Sequence, residues 1–169
     1  MSKIDLSHLR VLAVDDHPGV LKVLGIALNA LGVTDVRTAR SASEGFEEVG
    51  RSYPDLALCD MHMGSEDGIA FVKRVRNDPN SPNRYLPIII VSGDSELTKV
   101  AEARDAGAND YLVKPLSAKA LYARIAKTID QPCRFVYSPT YFGPCRRRRN
   151  IGPPEGLPER RKNPEYEFI

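Results

Sequence analysis

The chain has 169 residues, 42% of them hydrophobic and 27% charged, with a formal net charge of +2. Such values exclude a disordered or fibrous protein and fit one domain with residues to spare. No apolar run approaches a membrane span, and the N-terminus MSKIDLSHLR lacks a signal peptide's apolar stretch, so a cytoplasmic protein is expected.

In chain order, Leu9 to Val14 is an apolar run interrupted only by Arg10 and ended by Asp15 and Asp16. It reads as a strand covered on both faces. Pro18 suits the first turn of a helix, along which Val20, Leu21, Leu24, Ala27, Leu28 and Leu31 share a face until Gly32 stops it. Val33 to Ala39 is the second strand, and Ser41 with Glu44 forms a capping-box pattern that opens a helix through Val49. Asp55 to Cys59 is a buried strand ending at Asp60, followed by a loop to Gly68 and a helix carrying Ile69, Phe71, Val72 and Val75. NDPNSPN at 77–83 is turn-rich. Pro87 to Val91 is the next strand, and a helix runs from about Ser95 to Ala106, ended by Gly107. Tyr111 to Val113 is the last strand, and Ser117 caps a helix whose Leu121, Tyr122, Ile125 and Ile129 share a face. This alternation predicts a doubly wound α/β fold, a five-stranded parallel sheet with five helices on its two faces.

In such sheets ligands bind beyond the carboxyl ends of the strands. Asp15, Asp16, Asp60, Ser92 and Lys114 all stand at strand ends and are expected to converge. Crowded carboxylates repel unless a cation joins them, and an oxygen-only donor set suits magnesium (Mg2+). A carboxylate beside that ion can act as a nucleophile on phosphorus. Phosphoryl transfer then needs its equatorial oxygens neutralised, by the ion, by Lys114, and by the Ser92 hydroxyl with the Gly93 amide.

The segments VDD at 14–16, LCDMHMGSEDG at 58–68, VSGD at 91–94 and YLVKPL at 111–116 resemble the receiver domain of the response regulator family of two-component signalling. The resemblance covers about residues 9–129. It implies a flavodoxin-like strand order 2-1-3-4-5, Asp60 as phosphoacceptor, and a metal held by Asp15, Asp16, Asp60 and the backbone carbonyl of His62. It also implies Ser92 and Tyr111 as switch residues, Lys114 as the cation on the phosphoryl group, and a cis bond from Lys114 to Pro115. The implied partners are a sensor histidine kinase or histidine phosphotransfer protein and an unidentified downstream protein, with homodimer pairing through the fourth and fifth helices. No enzyme activity beyond self-phosphorylation and autodephosphorylation is implied. The family commonly reads Met-Pro where this chain has Met63-Gly64, which predicts a looser loop because glycine is the freer residue. The side chains of His17 and His62 read as loop surface.

Residues 130–169 form a separate Pro/Arg-rich extension. They hold seven of the thirteen prolines and 8 Lys/Arg against 5 Asp/Glu, whereas residues 1–129 carry 16 against 17. The expectation is an irregular tail without an independent fold, in which Arg146 to Arg149 form a solvated cluster. The apolar islands Phe135, Val136, Tyr137, Tyr141 and Phe142, then Tyr166, Phe168 and Ile169, offer docking as the competing reading. The three cysteines suggest free thiols. Two rival functions are weaker: nucleic-acid binding through the tail, which lacks a helix-turn-helix pattern or basic helix, and a magnesium-dependent small-molecule phosphatase.

Overall fold

The computed structural model describes residues 4–64, 66–145 and, by backbone alone, 167–168. Five parallel strands, β1 (Arg10–Val14), β2 (Asp35–Ala39), β3 (Leu56–Asp60), β6 (Ile88–Ser92) and β7 (Asp110–Val113), form a sheet in the order β2-β1-β3-β6-β7. Counted among these five alone, that is the expected 2-1-3-4-5. Five helices connect and cover them: α1 (Pro18–Ala30), α2 (Ala42–Ser52), α3 (Gly68–Asn77), α4 (Leu97–Ala106) and α5 (Ala118–Asp130).

Strand side chains alternate between faces, so an all-apolar strand feeds two cores. Leu12, Val14, Ala57, Cys59, Ile88 and Ile90 pack with Phe46, Val49, Phe71, Val72 and Val75 of α2 and α3. Val11, Ala13, Leu56, Leu58, Ile89 and Val91 pack with Leu21, Leu24, Leu28, Leu121 and Ile125 of α1 and α5. This is why the strand runs lack a polar alternation. The Ser41 hydroxyl accepts from Glu44 N at 3.1 Å, while Glu44 reaches back to Arg40 N at 2.6 Å, one residue earlier than a standard capping box. Ser117 caps α5 through Ala120 N at 3.1 Å.

Two features exceed the sequence reading. A small antiparallel pair, β4 (His62–Met63) with β5 (Glu66–Asp67), fills the loop after Asp60. In the extension, β8 (Phe135–Ser138) and β9 (Tyr141–Pro144) form a hairpin, and β10 (Glu167–Phe168) pairs with β8. The docking reading therefore holds for Phe135, Val136 and Phe142, which are buried. The rings of Phe135 and Phe142 meet Tyr85 at 5.1 and 5.3 Å, and the Arg84 guanidinium lies 3.7 Å from the centre of the Phe142 ring.

Beneath them Arg76 is 0% exposed. Its guanidinium donates to Gly107 O, Arg84 O and Asn109 Oδ1 at 3.1, 2.8 and 3.0 Å and lies 5.2 Å from the Phe135 ring centre. Burial pushes it down to about 9, and these three oxygens replace its lost water. Arg146 to Arg149, Tyr166 and Ile169 lie outside the described residues.

Candidate functional site

Neighbouring parallel strands end side by side, so the residues that follow them share one crevice. Val14 stands opposite Cys59, Asp60 opposite Val91, and Ser92 opposite Val113. Asp15, Asp16, Asp60, Ser92 and Lys114 accordingly gather at one edge of the sheet. Lys114 Nζ lies 2.6 Å from Asp60 Oδ1 and 3.3 Å from Asp15 Oδ2. Asp15 and Asp60 are buried, and Asp16 is partly exposed. The second oxygen of Asp60 accepts from His62 N at 3.0 Å.

Burial alone would lower the affinity of Lys114 for its proton. Its hydrogen bond to Asp60 and the charges of Asp60 and Asp15 outweigh that, so the ammonium is held above its ordinary range. One cation facing three carboxylates still leaves the pocket negative. The carboxylates of Asp15, Asp16 and Asp60 are hard oxygen donors, and the chemistry of that set fits a magnesium ion.

Gly68, at the first turn of α3, has no room for a side chain. A Cβ there would stand 2.3 Å from the carbonyl oxygen of Asp60. The close approach also lets Gly68 N donate to Met61 O at 2.9 Å, closing the segment from 61 to 68. Gly64 has φ +55, a region closed to proline, whose φ is fixed near −65°. The departure from Met-Pro thus makes the turn of the β4–β5 pair. Met63 is buried, and Glu66 accepts from Ser43 N and Oγ at 3.2 Å each, tying the loop to the start of α2. Around the glycine from which a looser loop is expected, the structure shows a short paired segment, His62–Met63 with Glu66–Asp67.

On the other side of the crevice Ser92 is fully buried, and its hydroxyl oxygen accepts from Asp94 N at 3.0 Å. Tyr111 is buried and donates its hydroxyl to Asp94 O at 2.8 Å. His62 Nε2 lies 2.8 Å from Asp94 Oδ2, joining the two loops across the mouth. The His62 side chain therefore has a partner that the surface reading did not foresee. Asp94 is the residue sequence reasoning missed, although it closes the quoted VSGD segment. His17, also read as surface, is exposed with Nδ1 3.1 Å from Asp16 Oδ1. The Lys114–Pro115 bond is cis, as the resemblance implied.

The family model for the response regulator receiver domain matches residues 11–126. The chain belongs to the receiver family. This receiver is 31% identical over 121 residues to the transcriptional regulatory protein GlrR of Escherichia coli, a match covering 72% of the chain and 26% of GlrR. It is 30% identical over 116 residues to KdpE of Staphylococcus aureus, covering 69% of the chain and 48% of KdpE. The chain thus spans about a quarter to a half of these relatives.

Among solved structures, a putative response regulator from Chloroflexus aurantiacus superposes with TM-score 0.66 at 31% identity, covering 73% of this chain and 98% of that one. The chemotaxis protein CheY4 of Vibrio cholerae gives 0.65 at 28%, covering 70% and 97%. The family match ends at 126, so the hairpin at 135–144 lies beyond it. The receiver is a phosphorylation-activated signalling module. Receiver domains bind magnesium at an acidic pocket, the place taken here by the Asp15–Asp16 cluster. Among the described residues no helix is long and apolar enough to cross a membrane.

Proposed function

We propose that Asp60 accepts a phosphoryl group from a phosphohistidine of a sensor kinase or phosphotransfer protein, acting in the cytoplasm as a phosphoacceptor rather than a turnover catalyst. The observation carrying this is the Lys114 ammonium shared between Asp60 and Asp15. It marks Asp60 as the carboxylate with a cation already placed for the charge that transfer brings. A carboxylate oxygen of Asp60 attacks phosphorus in line, a P–O bond forms, and the donor imidazole leaves with the P–N electron pair.

Asp15, Asp16, Asp60 and the His62 carbonyl are the residues that would hold magnesium, which when bound neutralises phosphoryl oxygen charge. Lys114 pairs with a second oxygen, and the Ser92 hydroxyl with the Gly93 amide donates to the third. Moving Ser92 disturbs Asp94, which the hydroxyl of Tyr111 also holds. The change therefore reaches α4, whose first residue, Leu97, is 85% exposed and available to a downstream protein or a second copy. On the donor side, α1 starts next to Asp16 and exposes Val23 (67%) and Ile26 (61%), three residues apart on one face, as an apolar strip for a kinase or phosphotransfer helix.

The test is incubation of wild-type and Asp60→Asn protein with acetyl phosphate and magnesium. One retained, alkali-labile phosphoryl group per wild-type chain and none on the variant is the expected result. Equal labelling of both proteins would overturn the assignment, and steady multiple turnover would favour the phosphatase alternative.

A further inference from the structure

His17 plays no part in the chemistry above, yet it adjoins the acidic pocket. It stands at the N-cap of α1, with φ −92 and ψ 110, ahead of Pro18. The proline restricts it to extended backbone, and its amide donates to Asp15 Oδ1 at 2.9 Å. N-cap side chains ordinarily turn onto the free amides of the helix. His17 makes no such bond. Its imidazole turns to the carboxylates instead, with Nδ1 3.1 Å from Asp16 Oδ1. One donor atom from each of Asp15, Asp16 and His17 lies within 4.8 Å of the others. The 3.1 Å between His17 Nδ1 and Asp16 Oδ1 matches the ~3.0 Å between adjacent ligands each about 2.1 Å from a common ion, and the imidazole, 78% exposed, can turn without disturbing the core.

We propose that His17 determines metal selectivity at this site, its imidazole nitrogen joining Asp15 and Asp16 around divalent first-row ions such as nickel(II) and copper(II). The proposal rests on the reading that Asp15 and Asp16 hold the divalent ion. Magnesium prefers oxygen and keeps its waters, so the imidazole adds little to its binding. Nickel and its neighbours accept imidazole readily. For them the nitrogen takes the place of a water, and the receiver accepts ions that an oxygen-only pocket holds less tightly.

The experiment is calorimetric titration of the full-length protein with nickel(II) alone and with magnesium alone, for wild type, His17→Ala, Asp16→Asn and the control His8→Ala. His17→Ala should weaken nickel about tenfold or more and leave magnesium unchanged, and His8→Ala should change neither. Pulsed electron paramagnetic resonance of bound copper(II), an ion that accepts imidazole, should show nitrogen coupling in wild type that His17→Ala abolishes. Equal nickel affinity in wild type and His17→Ala, loss of both metals together in His17→Ala, or no nitrogen coupling in wild type would each overturn the proposal. Failure of the underlying site reading looks different: Asp16→Asn would then bind magnesium as wild type does.

Discussion

Replacing Gly68 by alanine tests how the fold holds its phosphoacceptor. The added Cβ would stand 2.3 Å from the Asp60 carbonyl oxygen, inside the 3.0 Å that real Cβ contacts respect. Either the start of α3 or the end of β3 must move by about 0.7 Å, and both are packed backbone rather than flexible side chain. Overpacking of this kind costs about 1–3 kcal/mol. A displacement approaching 1 Å at a reacting group costs on the order of 100-fold in rate. Gly25→Ala is the internal control, because nothing lies within 4 Å of its added Cβ in the middle of α1. There the substitution should stabilise by about 0.5–1 kcal/mol. Urea unfolding and the rate of phosphorylation by acetyl phosphate measure both effects. If Gly68→Ala unfolded at the wild-type midpoint and took up phosphate at the wild-type rate, the role given to this close approach would be wrong.

Further expectations come from other parts of the molecule. Burial would raise the pKa of Asp110, but the Tyr111 amide, Arg124 and Lys127 hold it below the ordinary 3.8. The carboxylate therefore contributes stability at higher pH that is lost as pH falls through its lowered folded value. Asp110→Asn should accordingly destabilise at pH 7, with the gap to wild type closing in urea midpoints measured below pH 3.8. Phe142→Ala removes a buried ring that contacts Tyr85, Phe135 and Arg84 and should cost about 3 kcal/mol in urea unfolding. Tyr111→Phe removes the donor to Asp94 O and should cost about 1 kcal/mol while slowing the conformational response to phosphorylation, read by amide exchange in α4.

The parallel sheet was legible because buried strands carry unbroken apolar runs and three of the five helices announce their start, at Pro18, Ser41 and Ser117. The same punctuation put the five chemical residues at strand ends, where the topology makes them meet. The β4–β5 pair escaped notice because two-residue strands have no period, and the need for glycine at 64 appears only through its φ. Asp94 looked like a loop residue, since its three contacts come from Ser92, Tyr111 and His62, two of them distant in sequence. The hairpin hid for a similar reason. Its four-residue strands become stable only against Arg76, Arg84 and Tyr85, some fifty residues earlier, and a buried arginine cannot be recognised before its acceptors are known.

The fastening of Gly107 bears on how α4 can travel. That C-cap receives Arg76 Nε on its carbonyl and lies against β9, where a Cβ on Gly143 would come within 3.0 Å of Gly107 Cα. The opposite end of the helix begins at Glu96 without a side-chain cap, and the buried residues of α4, Ala103 and Ala106, both lie towards Gly107. A rod anchored at one extremity pivots instead of sliding. Over ten residues, a length of about 15 Å, a 1 Å nudge delivered beside Ser92 becomes a tilt of roughly 4°, greatest at the tip that bears Leu97.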